Sequence, residues 1–154
     1  MNHELLDGHN VFAWDMDETL INGPNSSFFR DCIAANPHKQ HFIVTFRTPR
    51  SWAVDALREL EEVGFDTKLI AGVSSVPDHL YEAWALRKHQ YHEEYVAQFL
   101  RWKGREASRL GCTVLVDDML EAVRNGCSEH GVTLIDSYHQ AFGYPDFVPE
   151  PKVA

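Results

Sequence analysis

The sequence predicts an α/β domain with a mainly parallel central sheet. Short apolar runs recur along its 154 residues, and segments with helical periodicity lie between several of them. Short turns join these segments, and strand–helix–strand order with short connections is typical of parallel α/β sheets. The composition, 44% hydrophobic and 24% charged, fits a single domain over residues 1–154 with a substantial core.

Five apolar runs are predicted to be strands because each is short and bounded by polar or turn-forming residues. They are residues 11–14 (VFAW), 42–44 (FIV), 68–71 (KLIA), 113–116 (TVLV) and 132–135 (VTLI). The first run is continuously apolar, which favours a strand that is covered by helices on both faces.

Helices are predicted where apolar residues recur three and four positions apart. The segment that begins near Pro49 and ends at Gly64 places four apolar residues on one side: Trp52, Ala56, Leu60 and Val63. The segment that stops at Gly131 has an apolar face of three residues: Leu120, Val123 and Cys127. A shorter helix is expected around residues 28–35.

Residues 74–110 are predicted to be mostly helical, and the part from 74 to 102 is rich in aromatic residues. The aromatic residues recur at spacings of three, four and seven: Tyr81, Trp84, Tyr91, Tyr95, Phe99 and Trp102. Such a stripe is typical of core packing, or of an oligomer surface where it is exposed. We interpret residues 74–102 as a helical insertion that is either a partial lid or the surface through which a homodimer forms.

Charge and cysteine content narrow the class of protein. The net charge of −9 argues against a broad nucleic-acid-binding surface but leaves room for a local pocket that holds one phosphate. The three cysteines show no CxxC spacing, which favours a reducing, cytoplasmic setting over a disulfide framework. No basic, apolar leader is present and no apolar run approaches the ~20 residues that span a bilayer, so no membrane partner is expected.

Chemically active side chains follow three of the predicted strands. They are Asp15, Asp17 and Thr19 after the first strand, Thr45, Arg47 and Thr48 after the second, and Asp117 and Asp118 after the fourth. Lys103 precedes the fourth strand on a predicted helix. Because ligands collect at the carboxyl ends of parallel strands, we expect these side chains to meet at one edge of the sheet. Neighbouring carboxylates there require a cation or a shared proton.

This set of side chains suits phosphoryl transfer to water. Carboxylate, carbonyl and water oxygens favour Mg²⁺ over zinc as the bound metal. One carboxylate can attack phosphorus while a second carboxyl group protonates the leaving group and then activates water. Thr45 and Lys103 would bind phosphoryl oxygens and balance the charge that develops during transfer.

Four motifs resemble those of the haloacid dehalogenase superfamily, and they occur in that family's order along nearly the whole chain. They are WDMDETL (14–20), FIVT (42–45), Lys103 within RWKGREASRLG, and VLVDDM (114–119). Lys88 is an alternative for the third motif. The resemblance implies a Rossmann-like, three-layer core with the nucleophile on the central strand.

The resemblance also implies a role for each matching residue. Asp15 would be the nucleophile and Asp17 the general acid and base, which implies a phosphatase or phosphotransferase. Thr45 would hydrogen-bond the phosphoryl group, and Lys103 would hold the nucleophile and the phosphate together. The implied Mg²⁺ ligands are the carboxylates of Asp15 and Asp117, the backbone carbonyl of Asp17, and Asp118, either directly or through water.

The predicted function is therefore a Mg²⁺-dependent phosphatase with a minimal cap that hydrolyses phosphate monoesters through a phosphoaspartate. The compact form and the ending VDDMLEAVRNGCSEHGVTLID are similar to the phosphatase domain of polynucleotide kinase-phosphatases. That similarity favours nucleotide or polynucleotide-end phosphates as substrates. Two alternatives stay open: a phosphatase of small metabolites such as sugar phosphates, and a non-catalytic module that binds phosphate or metal.

Individual residues also carry alternative interpretations. Arg47 is a candidate for substrate binding, but it can equally pair with a surface carboxylate. Asp118 can be a metal ligand or the N-cap of a helix that starts near Met119. His38 and His41 are spaced like metal ligands, but without further ligands they are expected to be exposed.

Overall fold

A five-stranded parallel sheet forms the centre of the molecule and confirms the predicted Rossmann-like α/β class. The computed structural model describes residues 3–50, 55–87 and 90–142. The strands lie in the order β3-β2-β1-β4-β5, and all the pairings between them are parallel. Their bounds are Val11–Trp14 (β1), Gln40–Thr45 (β2), Gly72–Ser75 (β3), Val114–Asp117 (β4) and Thr133–Asp136 (β5).

Helices connect the strands and cover both faces of the sheet. Their bounds are Glu4–Asp7 (α1), Ser26–Ala35 (α2), Asp55–Glu62 (α3), Asp78–Leu86 (α4), His92–Arg109 (α5) and Leu120–Glu129 (α6). Short 3₁₀ turns span Thr67–Leu69 and Gln140–Phe142. Trp52, which was predicted on the apolar side of the helix before Gly64, lies outside the described residues, as does the alternative motif residue Lys88.

Side chains alternate between the two faces of the sheet along each strand, and each face has its own layer of core packing. One face carries large buried side chains from β1, α2 and α3: Phe12, Trp14, Phe29 and Leu60. The other face carries smaller buried side chains from β1, β2, α5 and α6: Ala13, Val44, Ala107 and Val123. Successive strand residues point to opposite faces, so both layers close over β1, which becomes the buried centre of the sheet.

The register of the sheet brings the carboxyl ends of β1, β2 and β4 to one edge. Ala13 lies beside Phe42 of β2 and Leu115 of β4. The chain builds outward from β1 through β2 to β3, then returns to the other side of β1 to form β4 and β5. The gap between the ends of β1 and β4 is therefore the topological switch point, where ligands bind in open α/β sheets.

The predicted strand at residues 68–71 is wrong. Those residues form a 3₁₀ turn followed by a connection, and the strand begins at Gly72. The carboxylate of Asp66 accepts a hydrogen bond from the backbone N–H of Lys68 at 3.1 Å and starts the turn. Leu69 and Ile70 pack against the core from this turn, so an apolar run was mistaken for the strand that follows it.

The aromatic stripe of α4 and α5 packs mainly into a third apolar cluster. Phe99 is fully buried, and its ring stacks on those of Phe46 and Trp84 at centroid distances of 4.3 and 4.6 Å. Core packing is thus confirmed for Phe99, whereas Tyr91 is half exposed. Residues 74 and 75 belong to β3, and α4 and α5 then make most of the described part of this segment helical, as predicted.

Two glycines allow α5 and α6 to pack with their backbones in contact. A Cβ on Gly104 of α5 would lie 2.1 Å from the carbonyl carbon of Gly126 in α6. A Cβ on Gly126 would lie 2.7 Å from the carbonyl oxygen of Arg101. Any side chain at either position would force the helices apart, and Gly104 directly follows the predicted site residue Lys103.

Two further properties follow from the described ranges. Over residues 3–50, 55–87 and 90–142, no helix combines the length and apolar character needed to cross a bilayer. Cys32, Cys112 and Cys127 are free thiols in the core. Burial raises the pKa of the Cys127 thiol to about 11, so it packs as a neutral apolar group.

Candidate active site

Asp15 lies at the carboxyl end of the central strand, where the prediction placed it. Its backbone N–H donates to the carbonyl of Val116 at 2.9 Å, so the chain still follows β4 at this residue. The Asp15 side chain is only 8% exposed. The buried Thr19 hydroxyl donates to its Oδ2 at 3.4 Å and links the following loop to this carboxylate.

Lys103 reaches this carboxylate from α5 and joins it to a second one. Its Nζ donates to Oδ1 of Asp15 and to Oδ2 of Asp117, both at 2.7 Å. The Lys103 side chain is 1% exposed and that of Asp117 is 0% exposed. The ammonium also lies 4.2 Å from the centroid of the Phe46 ring, a cation–π contact that covers a further side of it. Lys103 thus lies between two of the carboxylates that the sequence predicted at this edge of the sheet.

Burial and the neighbouring charges shift the pKa values of Lys103 and Asp15. Burial alone would lower the pKa of Lys103, but the carboxylates of Asp117 and Asp15 raise it above its ordinary value. Burial raises the pKa of Asp15 well above its ordinary value, and the Asp117 carboxylate adds to this while Lys103 opposes it. The lysine is therefore a positive charge held between two carboxylates.

Asp118 completes a group of three carboxylates that can bind a metal ion. Within the described part of the chain, Asp15, Asp117 and Asp118 each offer an oxygen, and these oxygens lie within 4.8 Å of one another. The carboxyl groups of Asp15 and Asp118 are close enough to hydrogen-bond. Burial raises the pKa of Asp118 and the Asp117 carboxylate adds to this, while the hydrogen bond with Asp15 opposes it.

The N-cap interpretation of Asp118 is wrong. Helix α6 begins at Leu120, and its N-cap residue is Met119, which makes no side-chain cap. It is Oδ1 of Asp117 that accepts the backbone N–H of Met119, at 2.9 Å. The Asp118 side chain is consequently left to face Asp15 and the edge of the sheet.

The loop after Asp15 is folded tightly around one backbone carbonyl. The carbonyl of the fully buried Met16 accepts the N–H groups of three following residues: Thr19, Leu20 and Ile21. Glu18 takes a left-handed backbone conformation with φ of 62°, which is uncommon for a residue other than glycine. Gly23 then passes so close to Glu18 that a Cβ would lie 2.0 Å from the Glu18 carbonyl oxygen. The loop can therefore hold Asp17 in a fixed place.

Asp17 itself does not join the three carboxylates through its side chain. Arg47, which follows β2, donates from Nη2 to Oδ1 at 2.7 Å and from Nε to Oδ2 at 3.0 Å. Its remaining terminal nitrogen, Nη1, donates to Glu59 of α3. Arg47 thus pairs with carboxylates, and its predicted contact with substrate stays a prediction. The Asp17 side chain remains 58% exposed at the mouth of the site.

Thr45 ends β2 beside Asp15 and is 1% exposed. Its Oγ1 accepts the backbone N–H of Arg47 at 3.0 Å. A hydroxyl has one hydrogen and two acceptor positions, so this contact leaves the hydrogen to donate to a bound group. The predicted phosphate contact of Thr45 is compatible with this geometry.

The loop after β5 ties down the loop after β1. Nδ2 of Asn25 donates to the carbonyl of Ser137 at 2.8 Å, and the hydroxyl of Tyr138 donates to Oε2 of Glu18 at 2.7 Å. In the sheet, β4 lies between β1 and β5. The Tyr138–Glu18 hydrogen bond therefore crosses the end of β4, beside Asp118.

The sequence pattern identified the charged residues near the ends of β1, β2 and β4 but not the residues that contact and hold them. Glu59 looked like an ordinary residue on the polar side of an amphipathic helix, and only the fold brings it to Arg47. Phe46 stands between the predicted site residues Thr45 and Arg47, and this position in the sequence could have indicated that its ring lies at the site, where it contacts Lys103. His41, which was expected to be exposed, is 2% exposed because it belongs to the buried part of β2.

Comparisons with known proteins give the fold a distant neighbour and no function. No protein-family model matches the chain, and no curated protein matches it. A solved crystal structure of an uncharacterized protein from Corynebacterium glutamicum is similar, with 19% sequence identity and a TM-score of 0.46. The match covers 90% of this chain and 98% of that chain.

Proposed function

We propose that this protein is a Mg²⁺-dependent phosphohydrolase that cleaves phosphate monoesters through a phosphoaspartate on Asp15. The observation that carries the proposal is the buried bridge of Lys103 between Asp15 and Asp117, 2.7 Å from each. It lies at the switch point of the sheet, where α/β proteins bind ligands. The resemblance of the four motifs to the haloacid dehalogenase superfamily supports the same conclusion.

The residues present fit a divalent cation. Three carboxylates and one ammonium leave an excess of two negative charges when all are ionised. Hard oxygen donors without histidine or cysteine favour Mg²⁺ over transition metals. Asp15, Asp117 and Asp118 would hold the ion, with the backbone carbonyl of Asp17 as a fourth donor. When bound, it would neutralise charge on the phosphoryl oxygens.

The proposed first step forms the phosphoaspartate. A carboxylate oxygen of Asp15 attacks phosphorus, and the bond from phosphorus to the ester oxygen breaks. The departing oxygen takes a proton from the Asp17 carboxyl group and leaves as an alcohol. Lys103 holds Asp15 in place throughout this step, because its Nζ is fixed by Asp117 and the Phe46 ring.

The proposed second step returns the enzyme to its starting state. The Asp17 carboxylate, now deprotonated, takes a proton from a water molecule while the oxygen of that water attacks phosphorus. The bond between phosphorus and the Asp15 oxygen breaks, which releases inorganic phosphate and restores both carboxyl groups. The exposure of Asp17 suits this role, because a carboxyl group that is 58% exposed is accessible to water.

The substrate class within phosphate monoesters is the open part of the proposal. Nucleotides and polynucleotide ends come first from the motif similarity, and sugar phosphates come second. The net charge of −9 favours a compact substrate over a long polyanion. A compact monophosphate is therefore the first choice for an assay.

The test is phosphate release with and without Mg²⁺ from a panel of monoesters. The panel contains p-nitrophenyl phosphate, nucleoside 5′- and 3′-monophosphates, sugar phosphates and a 3′-phosphorylated oligonucleotide. We expect Mg²⁺-dependent turnover that Asp15→Asn abolishes and that Asp136→Asn, at the end of β5, retains. If neither the wild type nor Asp15→Asn turns over any member, while phosphate and Mg²⁺ still bind, the protein is a binding module and the proposal is wrong.

A further inference from the structure

The guanidinium of Arg47 is engaged by two carboxylates at the mouth of the site. Nε and Nη2 form a two-point contact with the Asp17 carboxylate, at 3.0 and 2.7 Å, and Nη1 donates to Glu59. A guanidinium in this arrangement matches the plane of a carboxylate and fixes its orientation, which a single ammonium would not do.

Burial is strongly unequal within this group. The Arg47 side chain is 7% exposed, whereas that of Asp17 is 58% exposed and that of Glu59 is 35% exposed. Burial alone would lower the pKa of Arg47, but its hydrogen bonds to Asp17 and Glu59 raise it. The arginine is thus a fixed, permanently positive group that holds the more exposed Asp17 carboxylate.

Contacts with β2 and α3 hold Arg47 in place. Its backbone N–H donates to Oγ1 of Thr45, the residue that ends β2. Its Nη1 is anchored on α3 through Glu59. The orientation of the Asp17 carboxylate is consequently set by β2 and α3, and not by the loop of Asp17 alone.

We propose that Arg47, anchored by Glu59, is a positioning residue that orients the Asp17 carboxyl group for proton transfer to the leaving group. This inference rests on the proposed function of the site. A carboxylate has about four lone-pair positions, and the two-point contact with Arg47 occupies two of them. The other two stay available on a side chain that is 58% exposed, and one of them would carry the proton to the ester oxygen and later accept one from water. Arg47 therefore acts through Asp17, and phosphate binding is not its role.

The leaving group of the substrate separates these two roles. p-Nitrophenolate departs readily without a proton, whereas phenoxide and alkoxides require one. kcat/KM includes only the steps up to departure of the leaving group, so hydrolysis of the phosphoaspartate does not affect it. Loss of a phosphate ligand lowers kcat/KM equally for both kinds of ester, whereas loss of a positioned acid lowers it unequally.

The experiment compares kcat/KM for p-nitrophenyl phosphate and phenyl phosphate in wild type, Arg47→Met, Arg47→Lys, Glu59→Gln and Asp17→Asn. We expect Arg47→Met to lose about 10²- to 10³-fold on phenyl phosphate, within the range of general acid catalysis, and less than about tenfold on p-nitrophenyl phosphate. Arg47→Lys and Glu59→Gln should show the same inequality to a smaller degree. Arg47→Met combined with Asp17→Asn should be no worse than Asp17→Asn alone, because both act through one group.

Controls separate positioning from folding. Arg50→Ala removes a nearby arginine that is 78% exposed and should leave both rates unchanged. Urea unfolding of each variant shows whether it folds, and if Arg47→Met does not fold, Arg47→Lys and Glu59→Gln carry the test.

Three results would contradict the inference, and two of them leave the proposed function intact. Equal loss on both esters with a raised KM makes Arg47 a phosphate ligand, and additive effects of Arg47→Met and Asp17→Asn make the two residues independent. Absence of Mg²⁺-dependent turnover in the wild type overturns the proposed function and this inference together.

Discussion

At the scale of single residues, the cluster around Lys103 depends on charge balance more than on packing. Removing the ammonium leaves two carboxylates buried side by side without their counter-charge, and breaking a buried pair in this way costs about 3–5 kcal/mol. The same removal takes away the charge that holds the proposed nucleophile. Lys103 should therefore matter to both stability and turnover.

We predict that Lys103→Met lowers kcat by at least about 10²-fold in the presence of Mg²⁺. It should also lower the free energy of unfolding of the metal-free protein by about 3 kcal/mol, measured by urea titration. Arg101→Ala is the matched control, because Arg101 lies on the same helix in an exposed pair with Glu129. That exposed pair should contribute less than about 1 kcal/mol. Loss of activity in Lys88→Ala, with Lys103→Met still active, would contradict the assignment of the motif lysine.

His41 gives a residue-level prediction away from the site. Its Nδ1 accepts the indole N–H of Trp14 at 3.1 Å, and its Nε2 lies 3.0 Å from the carbonyl of Asn36. The neutral ring with its proton on Nε2 satisfies both contacts, whereas a protonated ring would bring two donors together at Nδ1. Burial accordingly lowers the pKa of His41 below its ordinary value of 6.5.

The sign of the pH dependence follows from that shift. As the pH falls below 6.5, the unfolded chain takes up a proton at His41 before the folded chain does, so folding stability falls. One such group changes the free energy of unfolding by at most about 1.4 kcal/mol per pH unit. Its contribution to stability is fully present above the unfolded pKa and is lost as the pH falls. We predict that His41→Gln flattens the acid side of the stability profile, measured by urea unfolding, while His38→Gln, at an exposed position, does not. An unchanged slope in His41→Gln would show that other groups control this region.

Sequence patterns were sufficient for the residues whose chemistry is local. Asp15 and Asp118 directly follow β1 and β4, and Asp117 ends β4, so the edge of the parallel sheet brings these three carboxylates together. The partners of Arg47 depend on the angle at which α3 crosses the sheet, and no local pattern encodes that angle. His41 was misjudged because the residues before it, His38, Lys39 and Gln40, are polar, whereas its partner in the sheet is the buried Phe12.

At the scale of elements, the close packing of α5 on α6 places Lys103 under the site. Gly104→Ala puts a methyl group 2.1 Å from the backbone of Gly126 and 2.3 Å from that of Cys127, and neither can move like a flexible side chain. We predict a loss of at least about 1–3 kcal/mol in the free energy of unfolding, together with a lower kcat, because the next residue is Lys103. The measurement is urea unfolding alongside the phosphatase assay.

Gly8→Ala is the matched control for this packing prediction. A Cβ on Gly8 meets nothing within 4 Å, and its backbone φ of −75° is ordinary for alanine. We expect Gly8→Ala to change stability by less than about 1 kcal/mol, in the stabilising direction. Equal stability of the two alanine variants would contradict the close contact between α5 and α6.

The strands that the sequence predicted best are those that contain an apolar run of their own. β1 has the predicted bounds, and β2, β4 and β5 lie within about two residues of theirs. The edge strand β3 was displaced because its residues, GVSS, are only partly buried and carry a weak apolar signal. The stronger apolar run at residues 68–71 precedes β3 and includes the end of the 3₁₀ turn Thr67–Leu69, which also packs on the core.

At the scale of the whole molecule, the excess negative charge at the switch point links metal binding to folding. An ion that binds only the folded chain stabilises it by about 2.7 kcal/mol at 100 times its dissociation constant. We predict that this Mg²⁺ concentration raises the melting temperature by about 5–10 °C for a domain of this size. Asp118→Asn should reduce the shift, and Asp136→Asn should retain it. A melting temperature indifferent to Mg²⁺, or an equal loss in both variants, would exclude the three carboxylates as the metal site.

The most direct test of the central claim is capture of a phosphoryl group on Asp15. Enzyme quenched in acid during turnover of p-nitrophenyl phosphate is treated with borohydride, which reduces an acyl phosphate to homoserine, and the peptide that contains Asp15 is sequenced by mass spectrometry. We predict homoserine at position 15 only when Mg²⁺ and substrate are both present. Turnover with unmodified Asp15, or with homoserine at Asp17, Asp117 or Asp118 instead, would contradict the assignment of Asp15 as the nucleophile.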